Sequence, residues 1–178
     1  CLAVLCFTGC GVPPDRAKLE SSLVRIETIH GGIASPIIVA MHGLGGDARG
    51  FGGVFSTYSG PGLLVLAQAP TAHGPGWSWF PTQIGERGPE VQERMVGRAA
   101  DDVAVLLREL MAAHPKAGKP IVTGFSQGGM LSFAIATRHP ELVRLAVPVA
   151  GWLPEPLWPT SAPVNGPRIV ALHGDQDR

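Results

Sequence analysis

The sequence predicts an α/β fold built on a mostly parallel sheet with helices on both faces. Three observations carry that expectation. Short apolar runs such as Ile37-Ile38-Val39-Ala40-Met41 and Leu63-Leu64-Val65-Leu66-Ala67 lack polar alternation, as strands covered on two sides do. Segments of helical spacing stand between such runs, so strands and helices alternate along the chain. Two strands end in a His-Gly pair, His42-Gly43 and His173-Gly174, where a parallel sheet places its loops.

In order, residues 23–29 alternate, with Val24 and Ile26 on one face and Arg25 and Glu27 on the other. That pattern reads as a half-exposed edge strand, and Gly31-Gly32 turns the chain out of it. After the 37–41 strand, Phe51, Val54, Phe55 and Tyr58 recur at helical spacing and predict a short amphipathic helix. The 63–67 strand leads to a long loop holding Gly76-Trp77-Ser78-Trp79-Phe80-Pro81. A helix from Pro89 to about His114 has the apolar stripe Ala99, Val103, Leu106, Leu107 and Leu110, with Asp101, Arg108 and Glu109 toward water. Pro115 ends it. The strand Ile121-Val122-Thr123 precedes Gly124-Phe125-Ser126-Gln127-Gly128-Gly129, and residues 130–137 read as a buried helix closed by His139-Pro140. Residues 145–150 form a strand leading into Gly151-Trp152-Leu153-Pro154. A proline-rich loop then precedes the last strand, residues 168–172.

The composition bounds the function. A chain of 178 residues is one domain with room for a proper core. Apolar residues make up 45% and charged ones 16%, with formal net charge zero, which argues against disorder. No basic stripe exists to neutralise phosphates, so nucleic acid is not an expected partner. No stretch reaches the roughly 18 apolar residues of a membrane span. All three cysteines, Cys1, Cys6 and Cys10, lie in the first ten residues, leaving no disulfide framework or metal site for the domain. No phosphate loop appears either, so no cofactor is expected.

The N-terminus has its own signature. Residues 1–9 read as the tail of a secretory apolar region, and Phe7-Thr8-Gly9-Cys10 resembles the end of a bacterial lipoprotein signal, with Cys10 as the lipidated residue. A plain hydrophobic strand or a tag remnant is the alternative. The division expected is a signal remnant over 1–10, a linker over 11–21 and the domain over 22–178. The expected location is outside the cytoplasm, as a membrane-anchored lipoprotein or in the periplasm.

The chemistry centres on Gly124-Phe125-Ser126-Gln127-Gly128. With 24 glycines in the chain a bare G-x-S-x-G is weak, so its place between a strand and a helix must carry the case. In that context the turn is too sharp for side chains at 124 and 128, and Ser126 stands at its tip with its hydroxyl pushed clear. The alternative is a Gly-rich turn whose serine merely caps a helix. Hydrolysis by serine also needs a base, a carboxylate and N–H donors for the oxyanion. The backbone N–H of Gln127 and one from the loop opened by His42-Gly43 fit the donors, although that loop also reads as a plain strand-end turn. Asp175 and Asp177 both stand where the carboxylate belongs, and both could equally be making Asx turns.

None of the six histidines offers an evident base. His30 and His114 sit beside turns, His139 caps the helix after Ser126, and His42 and His173 are fixed beside glycines at strand ends. His73 lies in a Gly/Pro loop that could flank the site.

Taken together, His42-Gly-Leu-Gly-Gly, Gly76-Trp-Ser-Trp-Phe, Gly124-Phe-Ser-Gln-Gly-Gly, Gly151-Trp-Leu-Pro and His173-Gly-Asp-Gln-Asp resemble, in this order, the phospholipase/carboxylesterase family of α/β-hydrolases, which includes acyl-protein thioesterases. The resemblance spans about residues 22–178. It implies an α/β-hydrolase fold, Ser126 as nucleophile, Leu44 and Gln127 as oxyanion donors, and Asp177 as the triad acid. It places the catalytic His a few tens of residues beyond Asp177, so the chain as it stands is expected to lack its base and the last elements of the sheet, and to hydrolyse little. It implies a small-molecule ester or thioester substrate with a small or medium acyl group. Trp77, Trp79 and Phe80 match a loop beside the acyl pocket, or pack that loop on the core. Trp152, Leu153, Leu157 and Trp158 read as a pocket wall or as a plug under the proline-rich loop. The alternatives are a non-catalytic binding module of the same fold, or a secreted feruloyl or polyester esterase.

Overall fold

The computed structural model describes residues 22–81, 84–161 and 165–177. Cys1, Cys6, Cys10 and the 11–21 linker lie outside the described residues. The strands are β1 (Arg25–His30), β2 (Ile37–Met41), β3 (Gly62–Ala67), β4 (Thr71–His73), β5 (Gly76–Ser78), β6 (Ile121–Phe125), β7 (Leu145–Val149) and β8 (Arg168–Ile169). The helices are α1 (Ala48–Gly52), α2 (Pro89–Ala113) and α3 (Gln127–Arg138).

Six strands form one sheet in the order β1-β3-β2-β6-β7-β8, with β1 antiparallel to β3 and the other neighbours parallel. This is the mostly parallel sheet expected. Its two faces follow from the period of two along each strand. Ile37, Val39 and Met41 of β2 and Leu63, Val65 and Ala67 of β3 point into the large core under α2 and α3. Ala40, Leu64 and Leu66 point the other way, into a smaller cluster with Ala48 that Phe51 and Phe55 cover. Helices therefore lie on both faces. Strand β3 is buried along its whole length, which explains why it carries no polar residue.

The elements sit close to where the sequence puts them, with instructive differences. The predicted stripe of α2 is buried, and Val96 and Ala100 extend it. The short helix after β2 is tighter than expected: α1 passes into a 3₁₀ turn over Gly53–Phe55, leaving Val54 exposed. Helix α3 starts at Gln127, three residues before the apolar segment that announced it, because Gly128 and Gly129 are helical here. The stretch expected to be an irregular loop contains the hairpin β4–β5, in which Thr71 pairs with Ser78 and His73 with Gly76. Beyond β8 the ladder continues, since Val170 N–H donates to Ala146 O and Leu172 N–H to Pro148 O.

Order in the sheet creates the site. From β2 the chain passes to β3 on one side, whereas β6 lies on the other side of β2. Loops leaving β2 and β6 therefore diverge at the carboxyl end of the sheet, and such a switch point leaves a crevice.

Candidate active site

Ser126 links β6 to α3 with φ 52° and ψ −109°, a backbone conformation that L-residues avoid. The surrounding packing holds it there. A Cβ on Gly124 would stand 2.6 Å from the backbone of Gly128 and from Met41 O. One on Gly128 would collide with Met41 O and come within 3.0 Å of His42 O. The two glycines thus let the elbow sink against the end of β2, the steric role expected of them. Ser126 N–H donates to Val149 O at 2.9 Å, tying the turn to β7 as well. Gln127 opens α3, so its N–H belongs to the first turn, where donors have no intrahelical acceptor. The positive end of the twelve-residue helix lies there too.

The β2 loop comes up against this turn. A Cβ placed on Gly43 would lie 3.0 Å from Phe125 Cδ1 and 3.5 Å from Ser126 Cβ. The structure therefore brings Gly43, Leu44, Ser126 and Gln127 together from strands that the sequence separates by about eighty residues. Leu44 is 42% exposed. With Phe51, Val54 and Phe125 it borders an open, largely apolar groove of about 410 Å³ running from the β2 loop over α1.

His42 is committed to structure. It is 1% exposed, its Nδ1 stands 2.7 Å from Gly43 O, and its Nε2 accepts from Ala69 N–H at 3.1 Å. That set requires the neutral tautomer with the proton on Nδ1, a role consistent with its low promise as a base. Burial lowers its pKa, against smaller opposing effects of the Gly43 carbonyl and the Asp47 charge. His139 is the C-cap of α3, and its Nε2 lies 2.8 Å from Asp101 Oδ1. His114 caps α2, and the His30 ring packs edge-on against Tyr58. His73 lies in the exposed strand β4.

Asp177 stands in the turn after Leu172, its N–H donating to Gly174 O. Its carboxylate is 3.5 Å from His173 Nε2, with both side chains about half exposed. Asp175 lies in the same exposed turn.

The aromatic residues divide. Trp79 and Phe80 are buried at 5% and 3% and belong to the main core, the packing alternative that the sequence left open for them. Trp77 is 38% exposed and Trp152 43%. Leu153 packs on the core edge, and its carbonyl accepts from the Trp158 indole. Leu157 is buried, as a plug would be, while Trp158 is exposed.

Sequence reasoning missed two features. The side chain of Gln127 is buried and points away from the groove: its Oε1 accepts from Trp79 N–H at 3.0 Å, and its Nε2 donates to Phe80 O at 3.0 Å. The only available signal was a polar residue flanked by glycines at the head of an apolar helix. Ala150 adopts φ 49° where Gly129 and Gly151 touch backbone to backbone, and the adjacent glycine was its sole trace.

Among the described residues no three His, Cys, Asp or Glu side chains are grouped to hold a metal ion, and no helix is long and apolar enough to cross a membrane.

Comparison with known proteins agrees with this architecture. The Nocardia uniformis subsp. tsuyamanensis protein NocK, whose name assigns it as an esterase, is 27% identical over 146 residues. That match takes in 80% of this chain but 40% of NocK, so the chain spans well under half of that relative's length. The crystal structure of esterase PE8 superposes with a TM-score of 0.69 at 24% identity, covering 86% of this chain and 75% of PE8. Acyl-protein thioesterase 2 of Zea mays gives 0.54 at 22% identity, over 74% of this chain and 63% of the other. These likenesses establish the α/β-hydrolase fold. The phospholipase/carboxylesterase family model matches residues 28–178, and the chain belongs to that family.

Proposed function

We propose that this domain is a serine hydrolase that cleaves carboxylic esters, or thioesters, of small to medium acyl groups through an acyl-enzyme on Ser126. The observation that carries the reading is the strained conformation of Ser126, enforced by glycines that admit no Cβ. Strain of this kind costs about 1–3 kcal/mol, persists only where the surrounding packing over-determines it, and clusters at active sites. A serine that only capped a helix would need none of it, and Ser126 makes no side-chain capping bond to α3.

In this reading the Ser126 hydroxyl gives its proton to the base and attacks the acyl carbonyl. The alcohol or thiol leaves with that proton, and water then hydrolyses the acyl-enzyme. The N–H groups of Leu44 and Gln127 receive the oxyanion. Each such donor is worth about 3 kcal/mol in the transition state. Asp177 is the carboxylate that orients the base; the base itself is assigned to none of the six histidines in this sequence. The apolar groove beside Leu44, Phe51 and Phe125 supports an acyl or alcohol group of modest size, and the proposal assigns the partly exposed Trp77 and Trp152 to its surroundings. Attachment to a membrane through lipidated Cys10 is part of the same proposal; metabolic labelling with a radioactive fatty acid, lost in Cys10→Ala, tests it.

The test of the reaction uses the full-length natural protein with p-nitrophenyl esters of increasing acyl length. Ser126→Ala is expected to lower kcat by about six orders of magnitude, to what binding and the oxyanion donors alone sustain. Mass spectrometry of the quenched wild type should find the acyl group on the peptide containing Ser126. Turnover retained by a folded Ser126→Ala variant would sink the assignment.

A further inference from the structure

We infer that the segment 77–80 is a strap that fixes the spacing of the two oxyanion donors, with the Gln127 carboxamide and the Trp79 indole as its positioning groups. The inference rests on the reading of Ser126, Leu44 and Gln127 given above.

The two donors lie past the ladder of β2 and β6, which pairs Met41 with Gly124. The sheet thus holds the strand ends, while the loop at Leu44 and the start of α3 extend beyond it. The oxyanion geometry needs donors placed within about half an ångström, so a further element has to join them. Segment 77–80 does so through two sets of bonds. Toward the β2 loop, Gly45 N–H donates to Trp77 O and Trp77 N–H donates to Gly46 O, each at 2.9 Å. The Trp79 indole N–H donates to His42 O at 2.8 Å, bracing the loop on the other side of Leu44. Leu44 is thus held between two anchored peptides.

Toward the elbow, the Gln127 carboxamide engages the same strap. It accepts from Trp79 N–H and donates to Phe80 O, while the Ser78 hydroxyl, 3.2 Å from Gln127 Oε1, donates its proton to the closer Phe80 O. The residue whose backbone N–H is one donor therefore uses its side chain to hold the segment that positions the other. These groups are buried, so each bond is made without competition from water and each lost partner would strand a polar group. Gly76 allows the approach, since a Cβ there would overlap the backbone of Gly45.

Neither positioning group faces the groove, so neither binds substrate in the ground state. Removing one should loosen the donors and lower kcat while leaving KM nearly unchanged, the signature of an interaction expressed only in the transition state. Trp79→Phe keeps the ring and removes the bond to His42 O. Gln127→Ala removes the bonds to Trp79 N–H and Phe80 O, and Gln127→Glu keeps the acceptor for Trp79 while losing the donor to Phe80.

On the full-length protein, Gln127→Ala is expected to lower kcat about 10–100-fold and Trp79→Phe about tenfold, with KM within about threefold. Gln127→Glu should fall between Gln127→Ala and wild type. Affinity for an alkyl boronic acid, whose tetrahedral adduct on Ser126 places an oxygen between the donors, should weaken in the same order. Near-ultraviolet circular dichroism checks that each variant is folded, and if Gln127→Ala fails that check Trp79→Phe decides. Folded variants with wild-type kcat and boronate affinity, beside an inactive Ser126→Ala, would remove the strap and leave the nucleophile standing. An active Ser126→Ala would remove both.

Discussion

Two turns in this molecule begin with the same dipeptide, and the structure treats them differently. His42-Gly43 ends β2 and His173-Gly174 follows the last ladder residues beyond β8. His42 is almost wholly buried and bonded through both ring nitrogens, whereas the His173 side chain is 44% exposed, with Asp177 at 3.5 Å. A Cβ on Gly43 would press on Phe125 at 3.0 Å; one on Gly174 would meet nothing nearer than 3.6 Å. The cause is position in the sheet. Strand β2 has a neighbour on each side and a helix layer on each face, while among the described residues β8 pairs with β7 and is exposed at both its residues. Identical local chemistry is therefore a packing keystone between β3 and β6 and, among the described residues, an exposed turn after β8.

The sharpest test of that contrast lies where the centre is tightest. Gly128→Ala drives a methyl into the carbonyl of Met41, and backbone cannot yield as a flexible side chain can. It is expected to cost more than about 3 kcal/mol in urea unfolding, against less than about 0.5 kcal/mol for Gly174→Ala. Equal effects would show that the elbow is looser than its contacts imply.

A smaller effect is expected from the histidines themselves. His42→Ala removes the acceptor for the buried Ala69 N–H and opens a cavity, for a loss of about 3 kcal/mol. His173→Ala should change stability by less than about 0.5 kcal/mol. A His173→Ala loss as large as that of His42→Ala would overturn the contrast between the buried and the exposed ring.

The smallest effect is in pH. The folded pKa of His42 lies below its unfolded value of about 6.5, so the unfolded chain binds the extra proton first. Stability from the neutral ring is thus fully present above that value and is lost progressively as pH falls below it. His42→Asn should flatten the pH dependence of the urea midpoint below about pH 6.5. A slope that survives in His42→Asn assigns the proton uptake to another group.

These comparisons mark how far the sequence could be read. The helical stripe of α2, the buried runs of β2 and β3, and the glycines around Ser126 were legible because each is a local pattern with a local physical reason: periodicity, burial on two faces, and a turn too tight for a Cβ. The β4–β5 hairpin was not legible. Its strands are three residues each, and part of its pairing is with Gly45 and Gly46, thirty residues away. Nor could the sequence choose between a pocket-side and a core-side place for Trp79 and Phe80. An aromatic side chain beside a glycine-rich turn satisfies either, and only the bonds of Trp79 to His42 O and Gln127 Oε1 settle it.

By itself, then, the sequence determined the fold class, the family resemblance and the serine turn, since these depend on residue type and short-range spacing. Tertiary structure alone decided that His42 is a buried neutral support, that the Gln127 side chain faces the core while its backbone opens α3, and that Gly43 meets Ser126. Those facts depend on strand order, which put β6 beside β2, and no local pattern encodes which strands become neighbours.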